Sequence, residues 1–172
     1  MIESDTIILR APEIEDLPVI YRWENDSSIQ TVSRCKVPVS AFAIEQYILN
    51  TQQDPLIAGQ LRLMAETKAD GKVIGHIDLF NINAINRRAG IGILIDEAHR
   101  GKGYAFSILS MIIKWCSSSL GLHQLWCTIN TKNEESIRLF QKAGFRQTGI
   151  REAWTRKEGE WQDEAFMQLI LE

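Results

Sequence analysis

The stretch DEAHRGKGYAFSIL, from Asp96 to Leu109, decides how this chain reads. It follows AGIGILID, an apolar run of strand character, and passes through two glycines and several charges straight into a helix. From Tyr104 to Ser117 the helical period is clear, with Ala105, Ile108, Leu109, Ile112 and Cys116 on one face. The first N–H groups of a helix have no internal partner, and the aligned peptide dipoles put partial positive charge at that end. Glycine removes the side chains that would hold an anion off. A phosphate can therefore sit on main-chain N–H groups of Gly101, Lys102, Gly103, Tyr104 and Ala105, with Arg100 and Lys102 adding charge at the rim. A tight turn ahead of a helix needs the same two glycines, so the turn alone leaves both readings open. Spacing excludes two other phosphate loops, because neither GxxxxGK(S/T) nor GxGxxG occurs here.

On the N-terminal side, Thr6–Leu9 is a short strand, and Asp16 is placed to cap a helix with Pro18 in its first turn and Leu17, Ile20, Tyr21 and Trp23 at helical spacing. The chain from Ile29 to Pro38 looks irregular, and Ser40 caps a second helix through Ala41, Ile44, Tyr47 and Ile48. Leu61, Leu63 and Ala65 then alternate with polar residues, KADGK supplies an Asp-Gly turn, and Val73–Phe80 returns, which is a hairpin signal. On the C-terminal side, Leu125–Ile129 is a buried strand. Asn133 caps a helix with Glu134 and Glu135 in its first turn, and Gly144 ends it. Phe145–Ile150 and Trp161–Leu171 close the sheet around RKEGEW. With no repeat, linker or low-complexity segment, residues 1–172 read as one α/β domain.

Composition agrees with a globular protein: 172 residues, 45% apolar and 24% charged. A net charge of −3 argues against nucleic acid as a partner. Cys35, Cys116 and Cys127 have no metal-ligand spacing, so no metal is expected, and the odd count points to free thiols in a reducing cytoplasm. MIESDTIILR is no secretory leader, and no run is long and apolar enough to span a membrane.

Three motifs carry a resemblance. RGKGYA matches the Q/R-x-x-G-x-G/A signature of the GNAT family of N-acetyltransferases at Arg100, Gly103 and Ala105. NEESIRLFQKAGF resembles the family's N-x-x-S helix ending in K-x-GF at Asn133, Ser136, Lys142, Gly144 and Phe145. EGEWQDEAFM is similar to the closing strand of the branch that holds the ribosomal-protein N-terminal and spermidine N-acetyltransferases, and IILRAPEIEDLPVIYRWEND looks like that branch's opening. The resemblance implies a single mixed central sheet of about seven strands flanked by about four helices, an α/β (α+β) fold in which Gly92–Asp96 splays from Leu125–Ile129. It implies acetyl-CoA as cosubstrate. Main-chain groups of Ile93, Leu94 and Ile95 would hold the pantetheine arm in the slot. Arg100, Gly101, Lys102, Gly103, Tyr104, Ala105 and Phe106 would hold the pyrophosphate. Asn133 would bond the arm by an atom its cap does not use, with Phe140 and Lys142 near the thioester and the coenzyme tail.

The implied reaction is direct attack by a primary amine, either a protein N-terminus or a small amine or polyamine. Deprotonating a lysine-like amine at pH 7 costs roughly 4–5 kcal/mol, and an N-terminal α-amine only about 1 kcal/mol. The reaction also needs a donor aimed at the thioester oxygen, for which a main-chain N–H of Leu94 or Ile95 is the candidate. Relatives place a tyrosine at the site of Phe140, thought to protonate the departing thiolate; a phenyl ring has no proton to give, so Ser136, one turn away, is the substitute considered. Asp78 leads the candidate bases, ahead of Glu97 and Glu24, and could instead bind a cationic acceptor. His76 and His99 look partnerless, and Trp23, Trp154 and Trp161 could wall the acceptor cleft. Phe140 also keeps open a coenzyme-A-binding module without catalysis. SRCKVPVS, where the spermidine enzymes carry acidic clusters, weakens the polyamine case. A monomer or a homodimer fits equally well.

Overall fold

The two glycines of the opening stretch lie between a sheet strand and the longest helix. The computed structural model describes residues 2–27, 29, 37–51, 53–157 and 159–171. Cys35, most of the irregular stretch and the SRCK part of SRCKVPVS lie outside the described residues. Contacts divide the chain into two compact units, Ala11–Asp54, and Met1–Arg10 with Pro55–Glu172.

The larger unit holds one eight-stranded mixed sheet in the order β1-β2-β3-β4-β5-β6-β8-β7. Its strands are β1 (Ile2–Glu3), β2 (Ile7–Arg10), β3 (Leu61–Thr67), β4 (Val73–Asn83), β5 (Arg88–Ile95), β6 (Gln124–Asn130), β7 (Arg146–Lys157) and β8 (Glu160–Ile170). Five α-helices occur among the described residues: α1 (Leu17–Asn25), α2 (Ala41–Leu49), α3 (Pro55–Ala58), α4 (Tyr104–Ser118) and α5 (Glu134–Lys142). The strand beyond the expected seven is Ile2–Glu3, which pairs with Ile8 and Leu9. The additional helix is the single turn α3, which opens on Pro55. No described helix is long and apolar enough to cross a membrane.

Local signals account for most boundaries. Gly71, at φ 64°, turns the β3–β4 hairpin, as the Asp-Gly pair predicts. Ser40 Oγ accepts the Ala43 N–H at 3.1 Å and starts α2. Asp16 departs from expectation. Its carboxylate accepts the Glu13 N–H at 2.8 Å, closing a turn of 3₁₀ helix, and makes no cap bond to α1. Ile20 and Trp23 are buried, but Tyr21 is 44% exposed, off the inward face. The expected strand from Phe145 begins one residue later, because the Phe145 N–H is bonded back to Phe140 O at the end of α5, at 3.0 Å.

The core of the larger unit lies between the sheet and α4. Ile108, Leu109, Ile112 and Cys116 are fully buried, in one cluster with Ile77, Leu79, Ala89, Ile91, Leu125 and Cys127. Each such aliphatic side chain stabilises by about 1.5–3 kcal/mol. On the other face, the Phe80 ring lies across Gly90; a Cβ there would come within 2.3 Å of Phe80 Cε2. Gly90→Ala is therefore expected to cost about 1–3 kcal/mol in urea denaturation through overpacking. Adding Phe80→Leu should recover most of that loss, and a double variant no more stable than the single would contradict the contact.

Candidate active site

β5 and β6 are parallel neighbours joined through α4, yet they pair only at Arg88–Gln124, Ala89–Leu125 and Gly90–Trp126. Beyond Gly90 they part. β5 stays paired with β4 as far as Ile95, and β6 stays paired with β8 as far as Asn130. The gap is therefore bordered by two complete ladders.

Which main-chain groups face the gap follows from register. Asp96 donates its N–H to Ile74 O at 2.9 Å. Alternate residues of an antiparallel strand turn their main-chain groups toward the partner. Leu94 and Gly92 share the parity of Asp96 and face β4; Ile93 and Ile95 face the gap. The Arg100 Nε–H bond to Ile95 O, at 3.1 Å, fits this direction. This corrects one expectation, because the Leu94 N–H belongs to the β4 ladder and is turned away from any group in the gap.

The gap leads to the N-terminus of α4. Gly101 (φ 73°) and Gly103 (φ 81°) are left-handed, and an added Cβ at either would meet no atom within 4 Å. Gly103 is the N-cap and supplies no side-chain cap. The first bond back into the helix is from Ser107 N–H to Gly103 O. The N–H groups of Tyr104, Ala105 and Phe106 lie at this mouth ahead of the first bond within the helix, which suits an anion. Lys102 Nζ reaches back to Ala98 O at 3.3 Å. A cleft of about 540 Å³ continues from Gly103 and Tyr104 to Thr67 and Lys68, a cation that sequence reasoning missed.

α5 supplies the remaining wall. Asn133 Oδ1 accepts the Ser136 N–H at 3.2 Å, leaving its Nδ2 outside the cap. Ser136 is half-buried in the first turn. Lys142 Nζ lies 4.5 Å from the Phe106 ring centre, bringing together two residues expected near the coenzyme. Phe140 is buried edge-to-face on Phe145, ring centres 5.1 Å apart. Burial pushes the thiols of Cys116 and Cys127 up to about 12, so neither is a thiolate at neutral pH.

The candidate bases fare differently. Asp78 accepts from Arg62 Nε (2.7 Å) and Nη2 (2.8 Å), and His76 Nδ1 lies 3.3 Å from it. Burial pushes its carboxyl up, but the neighbouring His76 and the charge and two hydrogen bonds of Arg62 outweigh this and hold it well below the usual carboxylate range. Asp78 is therefore a weak proton acceptor, a correction to its expected place as leading base. His76 is a near neighbour of Asp78, not partnerless as expected. Glu97 is exposed, and Glu24 belongs to α1 in the other unit. Trp23 is buried, whereas Trp154 and Trp161 are exposed.

Sequence reasoning also missed an aromatic belt beside the gap. Phe80 meets Trp126 edge-on at 5.3 Å, Trp126 stacks on Phe166 at 5.7 Å, and Arg151 covers Phe166 at 5.1 Å. Glu164, 4% exposed, lies in register between Asn130 and Arg151. The alternation of EWQDEAFM along β8 was the one available signal.

This geometry, a parallel pair opening onto an uncapped helix mouth, has a counterpart among known proteins. The description "Acetyltransferase (GNAT) domain" matches residues 6–146, and the chain belongs to that family. It is an N-acetyltransferase, and its cosubstrate is acetyl-CoA. It is 28% identical over 149 residues to the spermidine N(1)-acetyltransferase of Escherichia coli (strain K12), covering 87% of this chain and 77% of that one. It is 25% identical over 181 residues to the probable N-acetyltransferase YjcK of Bacillus subtilis (strain 168), covering 99% and 97%. The crystal structure of spermidine N-acetyltransferase from Vibrio cholerae in complex with CoA and spermine superposes with a TM-score of 0.89 at 24% identity, covering 98% and 97%, a likeness of fold.

The Asp78 pair has a pH signature. A folded pKa below the unfolded value near 3.9 gives stability that is present above that value and lost as pH falls toward the folded one. With Asp78 28% and Arg62 16% exposed, Asp78→Asn is expected to cost about 2 kcal/mol at pH 7, less than a fully buried pair. Urea titrations from pH 7 to 3 should show the difference from the native protein shrink below about pH 4; a constant difference would contradict the assignment.

Proposed function

We propose that this enzyme transfers acetyl to a primary amine by direct attack, with the coenzyme arm in the β5–β6 gap. The amine is a polyamine, as in the spermidine enzymes it resembles, or a protein N-terminus. One observation carries the reading: β5 leaves β6 at Gly90 and runs on, through two left-handed glycines, to a helix N-terminus without a side-chain cap.

Acetyl-CoA supplies an acyl group already activated as a thioester. The residues 100–106 hold its diphosphate on the N–H groups of the α4 mouth, aided by Arg100 and Lys102. Ile93 and Ile95 hydrogen-bond the arm as an added strand would, and of the two donors considered only Ile95 turns its N–H toward the gap. Asn133 bonds the arm through Nδ2 while Oδ1 caps α5. Lys142, anchored on Phe106, faces the coenzyme tail, and Phe140 stiffens the wall from the core side. Ser136 gives the proton to the departing thiolate. That help is small, because a thiol of pKa near 8.5 leaves readily near neutral pH. Asp78 holds the acceptor face in shape through Arg62 and takes no proton, so the amine loses its own to water.

Gly103→Glu places a carboxylate where the diphosphate binds and is expected to weaken acetyl-CoA by more than about 100-fold in calorimetry. Gly103→Asn, neutral and tolerant of a left-handed backbone, should weaken it far less. Equal affinities for native and Glu forms would overturn the placement. Steady-state thiol release with a panel of primary amines tests the reaction itself: turnover is expected, with kcat lowered about 10-fold in Ser136→Ala and the KM for acetyl-CoA unchanged. Acetyl-CoA binding without turnover on any amine would defeat the proposal.

A further inference from the structure

β7 contains a break that no fold requirement explains. Pairing with β8 shifts between Arg151–Glu164 and Thr155–Gln162. Within the bulge Ala153 is left-handed, φ 47°, a conformation that costs a non-glycine residue about 1–2 kcal/mol. Asp163 Oδ1 holds it there by accepting the Ala153 N–H at 2.8 Å. In a straight strand, residues three apart point to opposite faces. Here the bulge turns Trp154 back so that the Arg151 guanidinium lies 5.1 Å from its ring centre and also 5.1 Å from that of Phe166. Bulges beside active sites characteristically re-aim a side chain in this way.

The result is a half-buried guanidinium fixed against two rings, and among the described residues no carboxylate lies within ion-pair distance of it. Arg62, on the same face of the sheet, is neutralised by Asp78. From Arg151 the belt runs through Phe166 and Trp126 to the point where β5 and β6 part. A stacked guanidinium matches a carboxylate with two parallel hydrogen bonds and repels an ammonium group.

We propose that Arg151, aimed by the Ala153 bulge, recognises a carboxylate on the acceptor, so that this enzyme prefers amines that also carry a carboxylate over polyamines. The inference rests on the acetyl transfer proposed above. Initial rates should be compared for lysine and ornithine against their carboxamides, for the dipeptide Ala-Gly against its C-terminal amide, and for spermidine. The first pairs report a free amino acid and the dipeptides a peptide acceptor. In the native enzyme kcat/KM for the better acid is expected to exceed that of its amide by about 10-fold or more, and to exceed that of spermidine. In Arg151→Gln the acid-to-amide ratio should fall to within about 3-fold of one, with Arg151→Lys between. An acid-to-amide ratio near one in the native enzyme, a ratio unmoved by Arg151→Gln and Arg151→Lys, or a preference for spermidine would each overturn it. Calorimetry with the acetylated products, acid against amide, reads the same preference independently of turnover. Failure of this proposal with turnover intact is thus distinct from failure of the reaction, in which acetyl-CoA binds and no amine reacts.

Discussion

The structure depends on the parting of β5 and β6 after Gly90. Buried main-chain groups need hydrogen-bond partners, so a gap inside a sheet is costly unless something fills it. Here each bordering strand keeps a full ladder on its other side, β5 with β4 and β6 with β8, so the opening leaves unpaired only the groups of β5 and β6 that face it. The fork is fixed by bulk: Phe80 covers Gly90, and Trp126 stands against Phe80. The same strand then passes through Asp96 into the loop whose left-handed glycines deliver it to α4. Slot and anion site are thus two consequences of one strand leaving its neighbour.

Electrostatics divides the site by the same geometry. The mouth of α4 has main-chain donors and cations around it, which suits a diphosphate. On the opposite face of the sheet two arginines have different fates. Arg62 meets Asp78 in a two-pronged pair, and that pairing removes the carboxylate from consideration as a base. Arg151 meets rings instead, with the buried Glu164 opposite it in register. The Asp of the closing motif has a physical task in this arrangement, since Asp163 pins the bulge that turns Trp154 onto Arg151.

Much of the fold was legible in the sequence because its signals are local. The buried face of α4 follows from the helical period, the caps from Ser40 and Asn133, and the hairpin turn from Asp70 and Gly71. The left-handed glycines of the loop are where a strand must turn into a helix, and the resemblance placed the slot between the correct strands. Asp16 marked the limit of such signals, because a carboxylate can close the turn before a helix as readily as it caps the helix itself.

What only tertiary structure decided is which groups meet. Whether the Leu94 N–H faces the slot or β4 depends on ladder parity, and a shift of one residue reverses it. Asp78 was visible as a carboxylate on a strand, but its weakness as a base comes from Arg62, brought opposite by the β3–β4 register. Arg151 and Trp154 share a face only because a bulge breaks the alternation that sequence reading assumes. Periods, caps and turn residues are properties of a few consecutive residues and can be read along the chain. Register, bulges and ion pairs relate residues distant in sequence, and they exist only once the strands have been laid side by side.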